Sequence, residues 1–211
     1  MHIAEGVLSP PVLAAGYALT AAGTAIGLRR LDYDRLMTAG ILAAVFFVGS
    51  LIHVPIGVSN AHLILNGLLG VLLGWAAFPA ILSALALQAL LFQYGGLVVL
   101  GVNTFTMGLS AVGAGCLFRF LHHRWPTPGG RRIAAFLSGA VGVAGAAFLT
   151  SIALIFSEEG FTAAASLLFL AHVPVMLAEG CITMFTVDFI LRVCPEMLTT
   201  QQQNHERIGH A

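Results

Sequence analysis

From Pro10 to Val193 the chain is a succession of apolar runs that break only at glycine, proline and arginine clusters. Runs of this length constrain the fold more than any single residue, because about 20 apolar residues in a helix cross a bilayer. Charged residues make up only 9% of the chain and hydrophobic ones 58%. A soluble domain carries about 25% charged residues, so this surface is not built to face water all round. Coiled coils, disordered tails and nucleic-acid binders are excluded on the same ground. With 211 residues, about six to eight spans fit and no room remains for a soluble domain. The expected fold is an all-α polytopic membrane protein forming a single transmembrane domain over 1–211.

The breaks predict helices at about 10–28, 36–52, 62–77, 80–94, 104–121, 133–156 and 174–193. The stretch 62–94 is too long for one span, since 33 helical residues reach ~50 Å against a ~30 Å hydrocarbon core. Pro79 supplies the expected break, because proline lacks an N–H and suits the first turn of a new helix. The segment 161–172 is too short to cross. It extends the last helix outward, kinked at Pro174, or lies in the interface.

All nine basic residues are arginine and none is lysine. A Schiff-base pigment and a phosphate-cradling P-loop both need a lysine, so a retinal pump and a Walker ATPase are excluded. With seven spans, Arg29, Arg30, Arg35, Arg119, Arg124, Arg131, Arg132, Arg192 and Arg207 all fall on one side. The positive-inside rule makes that side the cytoplasm, with the N-terminus outside and the C-terminus inside. Six spans would set the arginine clusters on opposite faces, unless the missing span lay before the second helix or after the seventh. Residues 1–9 carry no basic residue ahead of the first apolar run, so that run reads as a retained helix rather than a cleaved signal. His2 is bulky enough to protect Met1 from removal. Residues 201–211 form a polar cytoplasmic tail. Cys116, Cys181 and Cys194 lie inside apolar runs and read as small buried residues, not as a disulfide framework. Ala14, Ala18 and Ala22, with Ala21 and Ala25, repeat at helical spacing. Such small residues permit close helix approach, and packing within the chain is the expectation, ahead of contact with a partner subunit.

Eight histidines are many for so apolar a chain. His122, His123, His205 and His210 fall on the arginine side and read as solvated loop residues. His2, His53, His62 and His172 fall at the outer face. The stretch His53-Val-Pro-Ile-Gly-Val-Ser-Asn-Ala-His62 reads as a Pro/Gly turn flanked by two imidazoles. A chain beginning X-His offers its terminal amine, the deprotonated amide of residue 2 and the Nδ1 of the same histidine. These close a five- and a six-membered chelate ring in one plane, and one further imidazole completes a square of nitrogens. Planar nitrogen sets suit Ni(II) or Cu(II).

The N-terminal run Met1-His-Ile-Ala-Glu-Gly-Val-Leu-Ser-Pro10 resembles the opening of the CbiM/NikM family. Val58-Ser-Asn-Ala-His62-Leu-Ile-Leu-Asn-Gly-Leu-Leu-Gly70 resembles the family's second signature, and Leu100-Gly-Val-Asn103-Thr-Phe-Thr-Met-Gly108 a third. His172-Val-Pro, Glu179-Gly and Thr183 resemble a fourth. The resemblance covers nearly the whole chain and leans to the cobalt branch. It implies the substrate-binding membrane component of an energy-coupling-factor importer in the bacterial inner (plasma) membrane, carrying Co2+ or Ni2+ and supplying cobalt for cobalamin synthesis. It implies a metal site at Met1 (amine), His2 (amide and ring) and His62 (ring), with the N-terminus tucked back into the protein.

The same resemblance implies a support role for the loop 95–103, including Asn103. His53 and His172 are candidates to steady the ligands or to line the ion's way in. It further implies a membrane coupling subunit (CbiQ-like), two ATP-binding subunits (CbiO-like) and a small two-helix accessory subunit (CbiN-like), with lipid around them and no nucleic acid. Neither a resident cofactor nor enzymatic chemistry is expected of this chain, since any ATP hydrolysis belongs to the partners. Glu179 and Asp188 are carboxylates inside the last helix, a costly placement that signals function. For Glu179, transport coupling and inter-helix hydrogen bonding both stand open. The rival readings are a membrane haem or redox protein using its histidines, and an uncoupled metal permease. The divalent affinity order places Cu(II) highest and Ni(II) above Co(II) at such nitrogens, so selection for cobalt would need geometry, kinetics or metal availability.

Overall fold

The computed structural model describes residues 3–51, 53–56, 59–157, 169–194 and 197. Among them the chain forms seven α-helices and one short hairpin: α1 (Pro10–Arg30), α2 (Leu36–Gly49), β1 (His53–Ile56), β2 (Ser59–His62), α3 (Asn66–Leu73), α4 (Ala77–Phe92), α5 (Leu100–Arg124), α6 (Pro128–Ile155) and α7 (Val173–Val193). Five segments are long and apolar enough to cross a membrane: Pro10–Arg30, Asn66–Phe92, Leu100–Arg124, Pro128–Ile155 and Val173–Val193. The protein is thus an all-α polytopic membrane protein.

Local chemistry explains the helix ends. Pro10 opens α1 and Pro128 opens α6, where a missing N–H costs nothing. The Thr127 hydroxyl accepts the Gly130 N–H at 3.1 Å. This cap starts α6 five residues earlier than the apolar run alone predicts. Arginine and histidine fill the last turns of α1 and α5, where positive charge meets the negative end of the helix dipole. The alternating helices collect these basic ends at one end of the bundle. The N-terminal segment, the hairpin and the 93–99 loop occupy the other.

The region after α2 departs from expectation. Instead of a turn leading to a helix at 62, residues 53–62 pair as an antiparallel hairpin with His53 opposite His62. The helix then begins at Asn66. Nor does the chain turn at Pro79, which lies within the first turn of α4. It turns at Gly74, with φ 55° and ψ −124°, a conformation that glycine adopts without a Cβ penalty. α3 descends beside α5, and α4 returns along α2. Arg35 marks the lower end, donating to the carbonyls of Leu72 at 3.2 Å and Met197 at 2.9 Å. Its burial pulls the guanidinium below its ordinary range, against the raising effect of Asp32. Gln88 marks the upper end, bonded to the Phe47 carbonyl and the Ser50 hydroxyl.

α3 is the centre of the molecule, and every residue from Asn66 to Leu73 is buried. Its approach to α5 is backbone to backbone, since a Cβ on Gly70 would land on the Ala111 carbonyl. The side chains that face outward are large and apolar, among them Leu19, Ile41, Val45, Phe148, Phe185 and Phe189. Lipid tails are as apolar as these side chains, so outward leucine and phenylalanine carry no penalty there.

That inversion corrects two expectations. Cys116, Cys181 and Cys194 are exposed rather than buried. On α1 the inward face is Gly16, Thr20, Gly23 and Gly27, whereas Ala14, Ala18, Ala21, Ala22 and Ala25 all point outward. The alanine repeat is not an internal seam of this chain. Most of the 161–172 segment lies outside the described residues.

Candidate functional site

Ile3 is the first described residue, and both its N–H and its carbonyl are held. Its N–H donates to Asn103 Oδ1 at 3.1 Å, and Asn103 Nδ2 donates back to its carbonyl at 3.2 Å. A primary amide presents donor and acceptor side by side, so it pairs with a peptide as a neighbouring strand would. Asn103 lies in the first turn of α5 and is only 3% exposed. Ile3 and Leu8 pack with Val99, Val102, Ala153 and Leu154 in a small apolar cluster of their own. Glu5 Oε1 accepts the Val98 N–H at 3.0 Å.

α1 grips the same loop. The Tyr17 hydroxyl donates to the Leu97 carbonyl, and the Thr20 hydroxyl to the Gly101 carbonyl at 2.6 Å. The N-terminal segment therefore lies against a platform made from the 97–103 stretch. Sequence reasoning missed Glu5, Tyr17 and Thr20. An acidic residue in so apolar a chain was the available signal for Glu5. A helical tyrosine and threonine carry no such mark.

The second half of the candidate site follows β2. His62 ends the strand, with His53 across the hairpin. Two residues later the backbone turns inward, and the N–H groups of Ile64 and Leu65 both donate to Glu179 Oε1, the latter at 2.7 Å. Glu179 is fully buried. It stands six residues into α7, about 9 Å below that helix's start. Next in the chain, Asn66 Nδ2 donates to the Ser110 hydroxyl at 3.0 Å. Ser110 lies seven residues, about 10 Å, along α5 from Asn103. One helix thus connects the anchor of the N-terminal segment to the start of α3.

The other predicted residues divide as follows. Met1 and His2 lie outside the described residues, and His62 and His53 are located by their backbone alone. His172 is buried at the N-cap of α7, seven residues before Glu179. His122 and His123 lie in the last turn of α5, at the basic end. His122 stacks on Phe118 with ring centroids 5.7 Å apart. His205 and His210 lie outside the described residues.

The two carboxylates of α7 also separate. Asp188 pairs with Arg132 at 3.0 Å and Arg192 at 2.9 Å, a surface ion-pair cluster. Glu179 takes backbone amides, and its Oε2 has no hydrogen-bond partner among the described residues. Among those residues no three His, Cys, Asp or Glu side chains converge as a metal cluster.

Five helices long and apolar enough to cross a membrane, with an N-terminal segment held at the bundle head, define a polytopic membrane protein. The sequence pattern of the CbiM cobalt-uptake substrate-specific transmembrane region matches residues 2–197. The chain belongs to this CbiM/NikM family of substrate-binding membrane components of transition-metal transporters. A proposed metal transport protein of Haemophilus influenzae is 41% identical over 199 residues, covering 94% of this chain and 97% of that one. The fused nickel transport protein NikMN of Rhodobacter capsulatus is 31% identical, covering 96% of this chain and 65% of its own length. The crystal structure of a transition metal transporter superposes with a TM-score of 0.80 at 27% identity, covering 92% of this chain and 93% of that one. The protein is accordingly a multi-pass protein of the inner membrane, and its family's members move cobalt or nickel as cargo.

Proposed function

We propose that the protein is the substrate-specific component of an ATP-driven energy-coupling-factor importer for cobalt or nickel, built as a single transmembrane domain. The ion is captured at the outer face by the Met1 amine, the His2 amide and ring, and the His62 ring. A coupling subunit and two ATP-binding subunits supply the energy, and imported cobalt feeds cobalamin synthesis.

The observation that carries the reading is the Asn103 clamp on Ile3. It fixes the peptide unit next to His2 inside the head of the bundle. A free N-terminus in solution has no need of a buried amide. Its ordering, which costs about 1–2 kcal/mol per residue, makes sense where the terminus must present several donors at once. The arginine-rich end of the bundle supports a cytoplasmic position for that end, and with it an outer position for the end that holds the N-terminal segment. The histidine-haem reading has no comparable support, because the family's members are transport proteins.

The test is bound Ni(II) or Co(II) per protein, with the N-terminus verified by intact mass. One residue added before Met1 turns the amine into an amide and moves His2 out of the chelate frame. Binding is expected to be lost with the helices intact, as it is in His62→Ala, while His122→Ala stays silent. Metal must displace protons from the amine, amide and imidazole, so affinity falls as pH falls. Wild-type affinity in the extended protein would sink the proposal.

A further inference from the structure

We infer that Glu179 is a positioning residue for metal capture: it anchors the backbone just beyond His62 and thereby holds the His62 strand in place. The inference rests on the reading of His62 as a ligand.

Glu179 is an unusual carboxylate. Asp188, on the same helix but at the surface, pairs with Arg132 of α6 and Arg192. Glu179 instead meets two consecutive backbone amides, Ile64 and Leu65, on a single oxygen. Successive N–H groups converging on one oxygen form a nest, and a carboxyl oxygen has the lone pairs to accept both. These amides have few other ways to be satisfied. They precede α3, whose N-cap is Leu65 and which has no side-chain cap.

The backbone geometry shows what the carboxylate holds. Leu65 has φ 53° and ψ 18°, the left-handed region that a leucine adopts only under constraint. Remove the acceptor and two buried donors lose their partner, while Leu65 is free to leave its strained conformation. His62 cannot ignore that change. It is two residues from Ile64, and a chain spans at most about 3.6 Å per residue. Its Cα is therefore leashed within about 7 Å of an amide that Glu179 fixes. Below, Asn66 is bonded to Ser110 and α3 is buried throughout. Slack at Ile64 and Leu65 thus appears on the hairpin side, at the His62 end of β2.

The experiment compares wild type, Glu179→Gln, Glu179→Met and His62→Ala as full-length protein with a native N-terminus. Ni(II) affinity, the ligand-field spectrum at saturation and amide exchange at Ile64 and Leu65 are measured. Methionine keeps the volume and removes the acceptor, whereas glutamine keeps one acceptor oxygen. Losing a group that orients a ligand typically costs 10–100-fold in metal affinity. Glu179→Met is expected to fall by about that much, with the wild-type spectrum regained at saturation because the ligand set is intact. Glu179→Gln should lie closer to wild type than to Glu179→Met.

In metal-free protein, Ile64 and Leu65 should exchange faster in Glu179→Met than in wild type, and no faster in His62→Ala. Should Glu179→Met not fold, Glu179→Asp, which withdraws the acceptor by one methylene, takes its place. Wild-type affinity in Glu179→Met, or equal losses in Glu179→Met and Glu179→Gln, would overturn the inference while His62→Ala still abolished binding. Wild-type affinity in His62→Ala would instead overturn the reading on which it rests.

Discussion

Asn103 and Asp188 show how differently a polar side chain can be employed in one apolar bundle. Asp188 sits among arginines at the basic end, and its chemistry is complete there. Asn103 spends both halves of its amide on the peptide unit of Ile3. Asn103→Leu removes both bonds at nearly constant volume, and metal affinity should drop about 10–100-fold, the usual cost of losing a group that orients a ligand. Asn103→Asp keeps the acceptor for the Ile3 N–H but loses the donor to its carbonyl, so it should fall between. Isothermal titration with Ni(II) on the two variants measures the order. An Asn103→Leu protein that binds like wild type would separate the clamp from the site. At this scale the sequence marked Glu179 as unusual, a carboxylate inside an apolar run, and Asn103 entered through the family resemblance. Their partners were not legible: Asn103 reaches across 100 positions of sequence and Glu179 across 114 or more, and no spacing rule spans such distances.

Among the elements, α3 is the least tolerant. Gly70 meets the Ala111 carbonyl with no room for a Cβ, and Gly115 on α5 meets Gly70 in return. Gly70→Ala should force the helices apart and lower stability by about 1–3 kcal/mol, the cost of overpacking a filled core. Gly113, two residues from Ala111 on the same helix, has nothing within 4 Å of its Cβ position. Gly113→Ala should be neutral or raise stability by up to ~1 kcal/mol, since alanine is the better helix former. Thermal unfolding in detergent compares the two, and equal melting shifts would refute the backbone-contact account. Neither the hairpin nor the turn at Gly74 was legible. A Pro/Gly-rich loop and a glycine between leucines each fit several backbones, and the choice falls to what packs against them.

The whole bundle sorts its charge end to end, and that arrangement carries a topological prediction. In a variant with Cys116, Cys181 and Cys194 changed to alanine, Ser157→Cys should react with a membrane-impermeant maleimide on intact cells. Thr127→Cys should react only after the membrane is opened. Both positions flank α6, one at each end. Labelling in the opposite sense would place the basic end outside and remove the outer capture site with it.

The sequence by itself determined that this chain lives in a membrane, that its helices are about as many as they are, and that the arginines among its described residues gather at one end. Those properties follow from lengths of apolar chain and from where charge interrupts them, and both are read residue by residue. It also carried the family, through short motifs whose own residues lie near one another along the chain. Tertiary structure alone decided which face of α1 turns inward, where the chain reverses after α3, and what the buried carboxylate of α7, Glu179, holds. The physical reason is that lipid is as apolar as a protein core. In water, hydrophobicity tells inside from outside, and the pattern of a helix reveals its buried face. In a bilayer, leucine and phenylalanine point outward at no cost, so the buried face is chosen by small residues and by polar groups that find partners far away in sequence.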